Sequence, residues 1–165
     1  VLQVREVLRV LQQHELRASD LEEKALDLAA QLLVLCGKNE NYEEAYRLAK
    51  ETLQNWDARK KMQEIITAQE GNSDVDSEGL ALGSQTFDIM SEREGKVEAI
   101  DMKYLNMLAK TLGAPWDASA GIFLHKKLHD NVQKGEKLFS FYASSENKLQ
   151  MARELAADQA AYTIV

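Results

Sequence analysis

Arg93-Glu94-Gly95-Lys96-Val97-Glu98-Ala99-Ile100-Asp101 holds a turn, a strand and a helix start in nine residues. Arg93-Glu94-Gly95 can turn the chain, and Lys96 to Ile100 reads as a strand. Asp101 then stands where a side-chain oxygen can cap free helical amides. The helix behind it carries Leu105, Leu108 and Leu112 on one face and stops at Gly113-Ala114-Pro115, because proline cannot continue it. Working outward, Gln85 to Ser91 alternates around Phe87 and Ile89, a second strand. Ile122 to Lys127 and Lys137 to Tyr142 read as two more, the latter with Phe139 and Phe141 on one face. Asn131 to Glu136 between them is a hairpin-like connection in which Gly135 supplies the tight turn. Ser145 begins a last helix through Leu149, Ala152 and Ala156, and residues 161–165 read as a closing strand.

The first 70 residues have helical periodicity throughout. Leu2, Val7, Leu8 and Leu11 mark a short amphipathic helix. Ser19 with Glu22 fits a capping box at the head of a second, whose apolar stripe is Leu21, Ala25, Leu28, Leu32 and Leu35. Gly37 suits its end. Asn41 caps a third helix carrying Tyr42, Ala45, Tyr46, Ala49 and Leu53. A fourth runs from about Asp57 to Gln69 with Met62, Ile65 and Ile66, and Gly71 ends it. Residues 71–84 are polar, glycine-bearing and short of large apolar groups, which reads as a linker or long surface loop. The expected fold is α+β: a helical segment over 1–70, a linker over 71–84, and over 85–165 a small β-sandwich or hairpin domain with flanking helices.

Composition sets limits on function. Twenty Lys plus Arg against 27 Asp plus Glu leave a net charge of −7 over 165 residues, which does not suit a phosphate backbone. No apolar run approaches the ~18 residues of a membrane span, so neither nucleic acid nor membrane is expected as a partner. The chain opens inside a helix with no signal-peptide pattern, which points to a piece of a longer protein. Cys36, the single cysteine, lies in a Leu-rich stretch and is expected as a buried small hydrophobe in a reducing cytoplasm.

Candidate chemistry is sparse. His125 and His129 are four apart, but on a strand that separates them by roughly 13 Å, too far to share a metal ion. No phosphate loop or dinucleotide fingerprint occurs, and no nucleophile–histidine pair follows from spacing. Lys126, Lys127, Lys134 and Lys137 form a locally basic cluster, read as a solvated hairpin. Trp56 and Trp116 are expected as packing anchors. Val132, Gly135 and Leu138 supply the V-x-x-G-x-x-L part of the G-x-x-V-x-x-G-x-x-L pattern, with His129 at its first position, and so resemble biotinyl and lipoyl carrier domains. The Met-Lys-Met or Asp-Lys-Ala that such carriers modify is missing, so that likeness concerns fold alone.

A more specific resemblance rests on two blocks. One is Gly95-Lys96-Val97-Glu98-Ala99-Ile100-Asp101, then Leu112-Gly113-Ala114-Pro115-Trp116-Asp117-Ala118-Ser119-Ala120-Gly121-Ile122, then Val132-Gln133-Lys134-Gly135-Glu136-Lys137-Leu138. The other is Val1-Leu2-Gln3-Val4-Arg5-Glu6-Val7-Leu8 with Leu21-Glu22-Glu23-Lys24-Ala25-Leu26. Together they resemble the C-terminal portion of the thymidine phosphorylase/AMP phosphorylase family. The resemblance implies a parent enzyme in which phosphate attacks the anomeric carbon, as in thymidine going to thymine and deoxyribose 1-phosphate. AMP phosphorolysis, or a stand-alone binding or assembly module, are the alternatives. It also implies nucleoside and phosphate as the parent's ligands, no cofactor, and a homo-oligomer. The family's glycine-rich and Ser-Lys-Lys motifs do not occur here, so no catalytic residue is assigned. Lys24 alone matches a family lysine that contacts nucleotide. His129-Asp130 stands where Gly-Asp is usual, so that turn must accept a side chain.

Overall fold

A computed structural model describes all 165 residues, which divide into two compact units: residues 3–80, and residues 81–165 together with Val1 and Leu2. The elements, in chain order, are α1 (Leu2–Leu11), α2 (Ser19–Leu35), α3 (Tyr42–Gln54), α4 (Asp57–Ala68), β1 (Gln85–Met90), β2 (Gly95–Ile100), α5 (Met102–Leu112), β3 (Gly121–Leu124), β4 (Asn131–Val132), β5 (Lys137–Ala143), α6 (Glu146–Asp158) and β6 (Tyr162–Ile164). The α+β expectation holds.

In the helical unit, α2 packs on α3 through small residues. Ala30 and Ala45 are fully buried, and Val10, Leu26, Ala49 and Leu53 form the core. Short side chains let two helices approach closely, and that rotates α2 away from the expected stripe. Its buried face is Leu26 and Ala30 with Leu21, Ala29 and Leu33 beside them, while Leu28, Leu32 and Leu35 point to solvent, Leu35 at 82% exposure. Cys36 follows at the C-cap and is exposed rather than buried. The capping box also fails. Ala18 is the N-cap, Ser19 is already helical, and the Glu22 carboxylate turns to Arg17. At α3 the expectation holds: Asn41 Oδ1 accepts from the Glu44 amide at 3.0 Å.

Residues 71–80 are held against α1. Arg5 and Arg9, one turn apart, both donate to the Glu78 carboxylate at 2.8 Å. Gln12 reaches Asp76 at 3.1 Å, and Ser77 is completely buried. The two guanidiniums, Arg9 first, hold the Glu78 carboxyl down at about 2.

The α+β unit has two antiparallel three-stranded sheets, ordered β1-β5-β3 and β4-β2-β6. No strand pairs with its neighbour in sequence. The 131–136 connection is accordingly not a hairpin. A turn closed by the Glu136 amide on the Gln133 carbonyl, with Gly135 at φ +82°, sends β4 to one sheet and β5 to the other. β5 is central, and Leu138 to Phe141 are buried in succession on both of its faces. Phe139 stacks on Tyr162 of β6 at 5.6 Å, joining the sheets through the core. Helices α5 and α6 contribute Tyr104, Leu105, Leu108, Leu112, Leu149 and Ala152 to that core. Asp101 caps α5 as expected, accepting from the Tyr104 amide at 2.9 Å.

Candidate functional site

Lys24 is exposed on α2 and lines an open groove of about 590 Å³ with Asp20, Glu23, Asp27, Tyr42, Glu43 and Tyr46. Even with Asp20 set aside, Glu23, Asp27 and Glu43 against one ammonium make this groove negative, a setting that attracts cations and repels phosphate. Asp27 accepts from Gln31 and from the Tyr42 hydroxyl at 2.8 Å. These bonds lower the Asp27 carboxyl and push the Tyr42 phenol up to about 12.

The basic cluster is largely neutralised. Lys126 pairs with Glu136 at 2.8 Å and donates to the Asn131 carbonyl, and Lys137 pairs with Asp88 at 2.6 Å. The two histidines take separate roles. His129 occupies the left-handed region at φ +73°, in a turn where the Asp130 carboxylate accepts from the Lys127 amide. The turn does accept a side chain there.

His125 enters a polar line that sequence spacing did not show. Its Nε2 lies 2.7 Å from Ser140 Oγ, and Ser140 Oγ donates to Asp88. The residues come from the end of β3, from β5 and from β1, and Asp88 and Ser140 are register partners. Only the pairing of strands distant in sequence assembles them, so no local motif could have revealed them. The order of groups decides the chemistry. Ser140 gives its proton to the carboxylate, so its oxygen must accept from His125 Nε2–H. A nucleophilic triad needs the imidazole between hydroxyl and carboxylate. Here the buried hydroxyl sits in the middle, so the line ties three strands together and activates no nucleophile. Burial, then the Lys137 charge, lowers the His125 pKa, against an opposing pull from Asp88.

Neither tryptophan is a packing anchor. Trp56, left-handed at the N-cap of α4, is 42% exposed beneath the Arg59 guanidinium at 5.0 Å. Trp116 is 95% exposed. The residue after it organises its loop: Asp117 accepts from the Ser119 amide at 3.0 Å, from the Ser119 hydroxyl at 2.6 Å and from Ser144. Those bonds hold the Asp117 carboxyl at about 2.

The α+β unit also has a cavity of about 550 Å³ between β1, the end of α6 and β6, floored by Leu138, Phe139 and Tyr162. Its charged groups, Glu92, Arg93 and Asp158, come from flanking segments. It is a size that admits a small molecule, but it brings together no nucleophile with a base.

Two small antiparallel sheets packed against two helices through one core define a small α+β domain. Comparison with known proteins specifies it further. Residues 96–163 match the model of the pyrimidine nucleoside phosphorylase C-terminal domain. The chain is 41% identical over 95% of its length to an AMP phosphorylase of Thermofilum pendens, covering 30% of that protein. It is 43% identical over 97% of its length to a protein of Rhodopseudomonas palustris named "Putative thymidine phosphorylase", again covering 30%. An AMP phosphorylase 2 of Archaeoglobus fulgidus is 36% identical over 99% of the chain and 31% of its own length. The chain belongs to the thymidine phosphorylase/AMP phosphorylase family and carries its C-terminal domain. It spans about 30% of the length of the curated relatives it matches.

Proposed function

We propose that this chain is the C-terminal part of a longer phosphorylase, cytoplasmic and homo-oligomeric, whose catalytic groups lie outside these 165 residues. The observation that carries the reading is the match itself: almost all of this chain aligns, and less than a third of each relative. The side chains described above agree with a supporting role. The one Ser–His–Asp grouping has the wrong order for attack, and Lys126 and Lys137 of the lysine cluster are spent on internal ion pairs. On this reading the chain covers the substrate cleft and supports assembly, and it catalyses nothing alone.

Thymidine is the substrate we favour for the longer protein, cleaved by phosphate to thymine and deoxyribose 1-phosphate with no cofactor. Lys24 bears on that choice. It is the only position here that the family resemblance ties to a nucleotide, and Glu23, Asp27 and Glu43 beside it favour a cationic ligand over a phosphomonoester. AMP is the second reading, favoured by the 41% identity to an AMP phosphorylase. The test is phosphate-dependent base release by the longer protein, with thymidine and AMP offered separately. Thymine release supports the first reading and adenine release the second. Release from neither sinks both and leaves a non-enzymatic assembly module.

A further inference from the structure

Two properties meet in the Trp116 loop. Its side chain is almost wholly in solvent, while its backbone is tightly held. Besides the three bonds to the Asp117 carboxylate, the Asp117 amide donates to Gly113 at 2.9 Å and the Ala120 amide to Asp117 at 3.1 Å. The Ser119 carbonyl accepts from Gly83 at 2.9 Å. A loop so braced loses little freedom when covered. Tryptophan is the residue type that most often anchors an interface, since a large apolar ring is desolvated at a cost of only two torsions.

The same loop receives the first residues of the chain. The Val1 nitrogen donates to the Ala118 carbonyl at 2.8 Å, and the Leu2 side chain comes within 3.1 Å of where a Cβ on Gly121 would stand. Ala118 is two residues from Trp116, a span of at most about 7 Å. Any backbone joined to Val1 therefore starts beside the loop that carries the indole. In the Thermofilum pendens relative, about 70% of the length lies outside the match, ample chain to supply that backbone.

We propose that Trp116 is an internal docking anchor: in the longer protein, the segment immediately preceding Val1 lies over its indole. This rests on the reading of the chain as the C-terminal part of a longer protein. It assigns the Asp117–Ser119–Ser144 cluster the task of presenting the ring to that segment. A second copy of the protein, or solvent, are the competing occupants.

The experiment places a photo-reactive benzoylphenylalanine at position 116 of the longer protein, irradiates it, and maps the crosslinked peptides by mass spectrometry. The expected result is an intrachain crosslink to residues just before Val1. Hydroxyl-radical oxidation of Trp116 in the unlabelled protein should run about ten-fold slower folded than in urea, as for a covered side chain. A crosslink between two chains, a crosslink only to residues after Val1, or oxidation equally fast in both states overturns the proposal. So does a reading frame that starts at Val1. Base release measured on the same preparation separates the two ideas. An inactive protein that crosslinks ahead of Val1 overturns only the phosphorylase reading, and an active one that does not crosslink overturns only the docking.

Discussion

Three glycine-to-alanine substitutions separate lack of space from backbone conformation as reasons for glycine. At Gly135 the φ is +82° and nothing lies within 4 Å of an added Cβ. The cost there is conformational alone, about 1–2 kcal/mol for an L-residue in the left-handed region. It is offset by roughly 0.4–1 kcal/mol from the stiffer unfolded chain. A net loss of about 0.5–1 kcal/mol is expected. At Gly83 the conformation is ordinary, but the Cβ would stand 2.5 Å from the Ala143 carbonyl carbon and oxygen. Those are backbone atoms beside the β1–β5 ladder and cannot swing aside, so overpacking of about 1–3 kcal/mol applies. At Gly95 both terms act, since φ is +153° and the Cβ would lie 2.4 Å from the Val165 carbonyl oxygen. That oxygen is engaged by the Lys96 amide at 2.7 Å. A loss of roughly 3–4 kcal/mol is expected there, large against a total of about 5–15. Urea unfolding at constant m-value gives the three differences. If Gly83→Ala costs no more than Gly135→Ala, the close approach of residue 83 to the β5 backbone is refuted. If Gly95→Ala is the mildest, so is the whole argument.

Other substitutions test the polar contacts. His125 has a folded pKa below its ordinary value, so the unfolded chain takes up the proton first. The stability it contributes is present above about 6.5 and is lost as pH falls from there through the lower folded pKa. His125→Gln should therefore flatten the Tm difference between pH 7.5 and pH 5.5, and an unchanged difference refutes this. For Glu78, held at about 2 by Arg9 and Arg5, stability is present above its ordinary value of 4.5 and is lost as pH falls toward 2. Glu78→Gln should make residues 71–80 a faster site of limited proteolysis at neutral pH, and an unaltered cleavage rate would count against the clamp. Lys24→Ala in the longer protein should leave the KM for AMP within about two-fold, since losing a phosphate contact would cost ~1.5–3 kcal/mol, roughly ten-fold or more. Ser140→Ala should cost about 1–2 kcal/mol by stranding the inner ends of His125 and Asp88, read in the same urea melts.

Local signals were legible where a single element decides the outcome. The Asp101 and Asn41 caps, the α5 face and the four longer strands are read from residues a few positions apart, and they stand as expected except that the strand read over 122–127 ends at Leu124, where the chain bends into the His129 turn. What depended on a neighbour's choice was not legible. α2 offers two apolar faces, and only the alanines of α3 decide which is buried. Ser19 resembles a cap, but Arg17 claims the Glu22 carboxylate that would have completed the box. Trp116 resembles core by composition, yet the Asp117-centred loop turns it outward. The His125–Ser140–Asp88 line spans 15 and 52 positions and exists only because β5 lies between β1 and β3.

That interleaving has a kinetic consequence. β2 meets β6 across a separation such as Val97 to Ile164, and β1 meets β5 across Gln85 to Ala143. Without a hairpin to act as a seed, each sheet must close a long loop before its first hydrogen bond forms, and the entropy of that closure is lost before any contact repays it. Helices α5 and α6, whose turns form in about a microsecond, are the only local structure in the unit that can form early. The shortest closure in the unit joins β3 to β5 across Leu124 to Phe139, so refolding should start from that pairing with α5 and α6 docked on it, and the β4-β2-β6 sheet should be completed last.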